Sequence, residues 1–320
     1  MLYLSPDDIM AAADFDAVMD AIEQAYRIDL SGDFEMPVRM HVENGENTLL
    51  YMPCFLKNIF GTKMLSLFPG NSAKQRPVIE GIVLLNDGET GTPVAILDGA
   101  RLTAIRTGAV GGTAVRHITP VNAVSLGLIG AGIQGFYQVL FACTARKIKT
   151  VAVYDQIDSK LDSFCSRLSE ALPNVKVEKA GTVEELLEKS EIVITATPAT
   201  KPVLPNEQEL LRGKSFIGIG SYKLEMREYP QILYRLINKV LIDTEHGLEE
   251  SGDLIIPLQN KWIEEEQIIK FGSFLRERSD GAARDETMFF KSVGMALFDI
   301  VVSEHIYKKA LENKIGTVLV

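Results

Sequence analysis

The sequence contains few of the residues that build metal centres, disulfides and nucleic-acid surfaces. Its 320 residues include three cysteines and four histidines, and their spacing matches no metal or redox motif. The formal net charge is −10, with no block of Lys and Arg to neutralise a phosphate backbone. We therefore expect no metal site and no nucleic-acid partner. Buried, reduced thiols also favour a cytoplasmic protein.

Long apolar runs are also missing. No stretch approaches the roughly 18 apolar residues that a membrane-crossing helix needs, and residues 1–8 show no basic segment leading into an apolar core. We expect neither a membrane span nor a signal peptide. The composition is that of a globular protein, 46% hydrophobic and 24% charged. The chain is long enough for two domains of roughly 150 residues each.

The most informative segment is Gly130-Ala131-Gly132-Ile133-Gln134-Gly135, which fits a dinucleotide-binding pattern. An apolar run over 123–129 precedes this segment and a predicted helix follows it. In that context Gly130 permits a tight turn and Gly132 lets the backbone approach a pyrophosphate. The helix N-terminus that follows attracts phosphate. The segment therefore predicts a nicotinamide or flavin dinucleotide site.

A second apolar run, over 150–154, ends at Asp155. An acid at this distance from the glycines is placed to accept hydrogen bonds from both ribose hydroxyls. Because its charge repels a 2′-phosphate, Asp155 favours NAD(H). NADP(H) stays open as an alternative, since Lys160 or another cation can offset the acid.

The first 115 residues or so indicate an α+β arrangement. Residues 14–30 have helical apolar spacing, and Gly32 follows as a stop signal. Short apolar runs separated by turn-forming residues then predict hairpins of a mainly antiparallel sheet. These runs lie at 48–52, 61–68, 81–86 and 93–97.

From residue 122 strand-like and helical stretches alternate, which predicts a doubly wound parallel sheet. The strands are expected at 122–129, 150–154, 191–196, 215–219 and 238–242, and the helices at 133–146, 158–171 and 182–189. A last helix is expected over 285–311 and to return to the first domain. We therefore predict one domain over 1–115, a dinucleotide-binding domain over 116–295, and a return of 296–320 to the first domain.

Three cations and two strand ends are candidates for chemistry. Arg106 lies among apolar neighbours, where an Arg without a partner is costly and can instead clamp a carboxylate. Arg39 and Lys63, taken alone, fit surface cations better than ligand-binding residues. Thr197 and Ser221 follow predicted strands, at the edge where open α/β sheets bind ligands. We expect both to line the cofactor site, although both also fit plain exits from strands.

Together these segments resemble the ornithine cyclodeaminase and mu-crystallin family across nearly the whole chain. The glutamine at 134 and the Arg-Thr pair at 106–107 make the combination more specific than a general Rossmann pattern. The segments that carry the resemblance are Tyr51-Met52-Pro53, Gly61-Thr62-Lys63, Thr90-Gly91-Thr92-Pro93, Leu102-Thr103-Ala104-Ile105-Arg106-Thr107, Gly130-Ala131-Gly132-Ile133-Gln134 and Phe290-Lys291-Ser292-Val293-Gly294.

The resemblance implies a homodimer held by a substrate-binding first domain, with NAD(P) in a Rossmann-type second domain. It implies that Arg39, Lys63 and Arg106 hold the substrate carboxylate, with Val293 also near the substrate and Lys63 as the catalytic group. The dinucleotide contacts that it implies, together with those expected above, are Arg106, Thr107, Gly130, Gly132, Ile133, Gln134, Asp155, Thr197, Ser221 and Ser292.

Two positions depart from the cyclodeaminases of this family, which carry acids where this chain has Leu50 and Tyr222. Cyclodeamination needs a base. Leu does not titrate, and Tyr is a poor base near neutral pH because its ordinary pKa is about 10. We therefore predict an NAD(P)H-dependent ketimine reductase or amino-acid dehydrogenase acting on a small α-imino or α-amino acid. The alternatives are a cyclodeaminase-type lyase and a non-catalytic, mu-crystallin-like binding protein.

Overall fold

The structure is a computed structural model that describes residues 1–277 and 286–319. The chain divides into two compact units, one of residues 1–106 and 295–320 and one of residues 107–294. A long helix, α3 (Gly99–Ile118), contains the division after Arg106 as well as the boundary predicted after residue 115. The domain boundaries at 115 and 295 and the roles of the domains stay predictions.

The first unit is built on a mostly antiparallel sheet. Its remaining elements are β1 (Leu2–Leu4), α1 (Pro6–Ala12), α2 (Phe15–Ser31), β2 (Phe34–Glu35), β3 (Met40–Asn44), β4 (Asn47–Leu56), β5 (Ile59–Leu67), β6 (Ile79–Asp87), β7 (Pro93–Asp98), α12 (Ala296–Asn313) and β16 (Thr317–Val318). The strand order is β16-β1-β7-β6-β5-β4-β2, and β3 also pairs with β4. Only β1 and β7 run parallel in this sheet as the structure describes it.

Local signals explain these elements. Asp14 caps α2 by accepting a hydrogen bond from the N–H of Ala17, and Gly32 follows the last helical residue with φ +73°. That left-handed conformation suits glycine, as the stop signal predicted. The antiparallel hairpins joining β3 to β4 and β6 to β7 turn at residues 45–46 and 88–92, which are rich in turn-forming residues. In β5 buried and half-buried side chains alternate with a period of two. In β4 the first residues, Leu49 and Tyr51 among them, are all half-buried, so the alternation is weaker.

The second unit is built on a parallel sheet. Its elements are β8 (Ser125–Ile129), α4 (Ile133–Ala145), β9 (Thr150–Tyr154), α5 (Leu161–Ala171), β10 (Lys176–Lys179), α6 (Val183–Glu188), β11 (Ile192–Thr195), α7 (Gln208–Leu211), β12 (Ser215–Gly218), α8 (Gln231–Leu236), β13 (Val240–Ile242), α9 (Gly247–Glu250), α10 (Gly252–Gln259), β14 (Ile268–Lys270), α11 (Phe271–Glu277) and β15 (Met288–Lys291). The strand order is β10-β9-β8-β11-β12-β15-β13-β14.

This sheet confirms the predicted fold class. Its strands pair parallel, and β8 lies where the order reverses between β9 and β11. Central strands such as β11 are buried along their whole length, because the covered faces of a parallel sheet make such strands continuously apolar. The carboxyl ends of these strands form the edge at which ligands of such sheets bind.

The expectation of one helix over 285–311 is wrong. Residues 288–291 form β15, buried between β12 and β13, and α12 begins only at Ala296. The apolar residues Phe289 and Val293 happen to be spaced as in a helix, but Gly294 has φ +77° and separates the strand from the helix. Asp285 lies outside the described residues. The short strands β10 and β14 were also missed, since runs of three or four residues carry little periodicity.

Gly127, in the middle of β8, tests how tightly α6 packs on the sheet. A Cβ there would lie 2.4 Å from Leu186 Cδ2 and 2.6 Å from Ser190 Oγ. We expect Gly127→Ala to lower the free energy of unfolding by about 1–3 kcal/mol through overpacking, measured by urea unfolding. Gly70→Ala is the matched control, because a Cβ there meets nothing within 4 Å. Equal stability of the two variants would contradict the packing described.

Candidate active site

The glycine-rich turn after β8 forms a backbone cradle. Gly130 has φ +109°, and a Cβ there would lie 2.6 Å from the carbonyl oxygen of Ala196. A Cβ at Gly135 would lie 2.2 Å from the carbonyl oxygen of Gly130, so the first turn of α4 packs directly on this turn. Gly132 differs, since a Cβ there meets nothing within 4 Å. The backbone is therefore open at Gly132, where the sequence predicts the pyrophosphate.

The N-terminus of α4 follows this turn and is not capped by a side chain. Its first N–H groups and the positive end of its dipole therefore remain for an anion. Ile133 is 69% exposed there. Gln134 is half-buried, and its Oε1 atom is buried without a hydrogen-bond partner among the described residues. The uncapped N–H groups and this unsatisfied amide oxygen fit a dinucleotide.

Asp155 lies at the end of β9, beside the same turn. Its Oδ2 accepts a hydrogen bond from the N–H of Ala131 at 2.7 Å, and its Oδ1 accepts one from the N–H of Ile157 at 2.8 Å. These bonds fix the carboxylate, and each oxygen retains further acceptor capacity for a ribose hydroxyl. Its predicted role in binding the ribose thus has a suitable geometry.

The structure places Thr197 and Ser221 at the ends of neighbouring strands but gives their hydroxyls different surroundings. Thr197 is half-buried, and both its N–H and its hydroxyl donate to Glu228 Oε1 at 2.8 Å. Ser221 is fully buried, donates to the carbonyl of Met226 at 2.7 Å and lies 2.7 Å from Ser251 Oγ. The hydroxyl of Ser221 therefore already has partners inside the protein, and its contact with a cofactor stays a prediction.

Ser292 and Val293 follow β15 and are organised by Asp243, which the sequence analysis missed. Ser292 Oγ donates to Asp243 Oδ2 at 2.6 Å, and the N–H of Gly294 donates to the same oxygen at 2.7 Å. The N–H of Val293 also donates to Asp243, at 3.1 Å from Oδ2. Burial raises the pKa of Asp243, and these hydrogen bonds oppose the rise. Ser292 is buried and Val293 half-buried.

Thr107 has a hydroxyl without a partner among the described residues. The residue is 7% exposed and its Oγ1 atom is buried. Its carbonyl accepts a hydrogen bond from Gln138 Nε2 at 2.7 Å, which ties α3 to α4. A buried hydroxyl without a partner costs free energy, so a ligand atom or an ordered water is its natural partner.

In the first unit, Lys63 and Arg106 share one carboxylate, that of Asp299. Lys63 Nζ lies 2.8 Å from Asp299 Oδ2, and Arg106 Nε donates to Asp299 Oδ1 at 2.9 Å. Lys63 is on the buried face of β5, Arg106 is on α3, and Asp299 is on α12. All three side chains are at least nine-tenths buried. The two cations are therefore held together by an acid in the interior.

The environment of Lys63 lowers its pKa to about 8. Burial has the largest effect, and the charges of Arg106 and Arg39 act in the same direction, while Asp299 opposes them. Arg39 is half-buried, immediately before β3. The charge of Arg39 acts on Lys63, and its predicted contact with a substrate carboxylate stays a prediction.

Asp299 was missed because the sequence analysis used α12 only as a source of apolar residues. A signal was present, however, since Asp299 stands between Phe298 and Ile300 in a strongly apolar stretch. An acid in such a stretch is costly to bury unless a cation pairs with it. The sequence does not show that its partners are Lys63 and Arg106, which lie about 240 and 190 residues away along the chain.

Leu50 and Tyr222, the two departures from a cyclodeaminase pattern, are not bases in this structure. Leu50 is half-buried in β4 and pairs with His41 and Leu65 on the neighbouring strands. Burial raises the pKa of Tyr222, and the charge of Glu225 adds to the rise. The phenol of Tyr222 is therefore neutral at physiological pH.

Neither a metal site nor a membrane span is found in the part of the chain that the structure describes. Within residues 1–277 and 286–319 no three His, Cys, Asp or Glu side chains are grouped as ligands for a metal ion. No helix in those ranges combines the length and the apolar character needed to cross a bilayer.

The family model described as "Ornithine cyclodeaminase/mu-crystallin family" matches residues 2–314. A Delta(1)-pyrroline-2-carboxylate reductase of Bacillus cereus is 34% identical over 280 residues, which cover 85% of each chain.

Two solved structures are similar over the whole chain. The Delta(1)-pyrroline-2-carboxylate reductase of Thermococcus litoralis, in complex with NADH and L-proline, has a TM-score of 0.92 and 31% identity and covers 100% of both chains. An archaeal alanine dehydrogenase dimer with bound NAD has a TM-score of 0.89 and 26% identity, and covers 100% of this chain and 99% of the other.

The buried charge of Lys63 makes stability depend on pH. Between its folded pKa of about 8 and its ordinary value of 10.5, the unfolded state binds more protons at this residue. The contribution of Lys63 to the free energy of unfolding should therefore rise with pH in that window, by up to about 1.4 kcal/mol per pH unit. Urea unfolding of the wild type and Lys63→Met at several pH values isolates this contribution. A pH-independent difference between the two proteins would contradict it.

Proposed function

Because this chain belongs to the ornithine cyclodeaminase/mu-crystallin family, we propose that it reduces the C=N bond of a cyclic α-imino acid, Delta(1)-pyrroline-2-carboxylate, to give proline. The protein is an NAD(P)-dependent oxidoreductase acting on C–N bonds of small amino or imino acids. The observation that carries the finer proposal is the buried group of Lys63, Arg106 and Asp299. It is supported by the two similar reductases that bear this substrate in their names.

The charge of this group suits a carboxylate substrate. Two buried cations face one buried acid, Asp299, so the group carries one uncompensated positive charge. A second carboxylate, supplied by the substrate, balances it, and such charge-assisted bonds are strong in a site shielded from water. Asp299 binds Arg106 through Nε, and the other guanidinium nitrogens can point at the substrate. Arg39 adds positive charge close by.

We propose NAD(H) as the cofactor, in line with the NADH and NAD bound in the two similar structures. The open backbone at Gly132, the uncapped N-terminus of α4 and the fixed carboxylate of Asp155 fit its pyrophosphate and ribose. The acid at Asp155 disfavours NADPH through repulsion of a 2′-phosphate. When bound, NADH supplies the hydride that reduces the imine carbon.

The reduction also requires a proton on the imine nitrogen, and we assign its supply to Lys63. With a pKa of about 8, Lys63 is charged at neutral pH yet releases a proton more readily than an ordinary lysine. A pKa near the working pH is the condition for an efficient general acid. Hydride addition to carbon and proton transfer to nitrogen together convert the C=N bond into an amine, and NADH becomes NAD+.

A second candidate is an alanine dehydrogenase-type reaction, the reductive amination of an α-keto acid. The similarity to an archaeal alanine dehydrogenase favours it, and the same cations would hold a keto acid. The identities of Leu50 and Tyr222 disfavour a cyclodeaminase, because neither side chain acts as a base. A binding protein without turnover would keep the same cations and is separated from the enzymes only by assay.

We also propose that the protein is a homodimer, as the archaeal alanine dehydrogenase is. The sheet of the first unit and the segment just before β3 have exposed apolar side chains that a second copy would cover. They are Val38, Met40, Val42, Phe55 and Ile79. Sedimentation of the purified protein gives the oligomeric state directly.

The assay is oxidation of NADH, followed by nicotinamide absorbance, with Delta(1)-pyrroline-2-carboxylate, its six-membered homologue, and pyruvate with ammonia. We expect stoichiometric oxidation with the five-membered imino acid. Lys63→Met should lower kcat by at least about 100-fold, the scale of a lost general acid, while the Kd for NADH stays within about twofold. Ammonia release from ornithine without net NADH oxidation would instead identify a lyase. Full activity of Lys63→Met would remove its catalytic role.

The pH dependence tests Lys63 as the acid. In the wild type kcat/KM should fall above pH 8, the approximate pKa of Lys63, because the deprotonated amine has no proton to donate. Asp299 raises that pKa, so Asp299→Asn should move the fall to lower pH. Lys63→Arg is the control: because an Arg does not give up its proton near neutral pH, this variant should lose kcat as Lys63→Met does, and its residual activity should show no fall near pH 8. A fall at the same pH in all three proteins would assign it to another group.

A further inference from the structure

Glu228 is a fully buried acid that the proposed chemistry does not use. Its Oε1 accepts hydrogen bonds from both the N–H and the hydroxyl of Thr197 at 2.8 Å, and its Oε2 accepts one from the N–H of Gly220 at 2.9 Å. Three hydrogen bonds therefore end on one buried carboxylate. Burial of a charge is costly unless such bonds compensate it, so the position of this carboxylate is strongly determined.

The residues bound by Glu228 lie just beyond the carboxyl ends of two neighbouring strands, β11 and β12. A Cβ at Gly220 would lie 2.2 Å from the carbonyl oxygen of Thr197 and 2.6 Å from Glu228 Oε1, so these backbones are in direct contact. On the other side of β11, Gly130 packs against the carbonyl of Ala196. The loops that follow β8, β11 and β12 are thus in contact one after the other along the edge of the sheet. Glu228 joins the loop after β11 to the loop after β12.

Glu228 is in turn held by its own backbone. Its N–H donates to Asp253 Oδ1 at 2.9 Å, and its carbonyl accepts from the N–H of Val203 at 2.8 Å. The buried ammonium of Lys291 is attracted by both Glu228 and Asp253. The carboxylate therefore extends from a fixed backbone towards Thr197 and Gly220. A small change in this side chain should shift Thr197 and Gly220 rather than the backbone of Glu228.

The bond from the Thr197 hydroxyl to Glu228 also fixes what this hydroxyl can offer. Its proton is committed to the carboxylate, so outwards it can act only as a hydrogen-bond acceptor. The N–H of Ala199 takes part of that capacity at 3.3 Å, and one lone pair remains. Thr197 is half-buried, so this lone pair can meet a ligand at the edge of the sheet where a dinucleotide is expected.

We propose that Glu228 is a positioning residue for the nicotinamide half of the cofactor, which holds the Thr197 hydroxyl as an obligate acceptor for an N–H or O–H donor of NADH. The proposal rests on the dinucleotide site of the proposed function. The donor is either the carboxamide N–H of the nicotinamide or a hydroxyl of its ribose. Glu228 itself does not touch the cofactor and acts through Thr197 and Gly220.

The test begins with binding, so that it does not depend on the imino acid substrate. The Kd for NADH is measured by fluorescence for the wild type, Glu228→Gln, Thr197→Val and Thr197→Ser. In Glu228→Gln one carboxylate oxygen becomes an NH2 group, which cannot accept a hydrogen bond. Either Thr197 or the N–H of Gly220 therefore loses its acceptor. We expect a Kd about 10-fold higher for Glu228→Gln and for Thr197→Val, the scale of one lost buried hydrogen bond. Thr197→Ser keeps the hydroxyl and should bind like the wild type.

A purely structural role for Glu228 predicts a different result. Glu228→Gln would then lower the melting temperature and the active fraction, and hence kcat, without changing the Kd or the KM for NADH. That result, or an unchanged Kd for Thr197→Val, would overturn the proposal. If Glu228→Gln does not fold, the Thr197 pair still decides. If the double variant Glu228→Gln/Thr197→Val folds, its Kd for NADH is compared with that of Thr197→Val. A Kd no higher than that of Thr197→Val alone would support action through that hydroxyl.

An NADH analogue with an acetyl group in place of the carboxamide identifies the donor, because its acetyl group has no N–H. If Thr197 accepts from the carboxamide, Thr197→Val should not change the Kd of the analogue. If it accepts from the ribose, the variant should weaken the analogue and NADH equally. Tight binding of NADH with no reduction of any imino acid would contradict the proposed function but leave the test of Glu228 intact. Absence of NADH binding by the wild type would overturn both.

Discussion

The sharing of Asp299 by Lys63 and Arg106 is the interaction on which the proposed chemistry of this protein depends. Two cations buried side by side repel each other, and both would be unstable without the acid that lies 2.8 Å from one and 2.9 Å from the other. Removing one partner of such a group typically costs about 3–5 kcal/mol. The acid compensates one charge only, so the group retains an affinity for an anion. In the proposed function, structural stability and carboxylate recognition therefore arise from the same three side chains.

In the second unit, too, carboxylates hold neighbouring groups in place, here at the ends of strands. Asp155, Glu228 and Asp243 each accept hydrogen bonds from backbone N–H groups just beyond a strand. A loop that must bind a ligand cannot rely on regular sheet pairing, so a carboxylate takes the place of the missing strand neighbour. Each of these acids thus holds a loop in one conformation before a ligand arrives, which reduces the entropic cost of binding.

Much of the fold and part of the site could be predicted from local pattern. The glycine turn at 130–135, the acid at 155 and the strands β8, β9, β11 and β12 have short-range signals, because turn geometry and burial on a parallel sheet constrain the residues directly. Arg106 was a candidate from its apolar neighbours, whereas the role of Lys63 rested on the family resemblance, because its local sequence also fits a surface cation. The last helix was extended in error through β15, since Phe289 and Val293 have helical spacing by coincidence and only Gly294 marks the break.

By itself the sequence determined the fold class, the dinucleotide pattern and the family, because periodicity, glycine positions and motif spacing are properties of neighbouring residues. Only the tertiary structure decided which buried charges meet. Asp299 lies far along the chain from Lys63, and Glu228 lies about 30 residues from Thr197. The partner of a buried charge is chosen by which strands and helices pack together, and the low dielectric constant of the interior makes that choice decisive for its pKa.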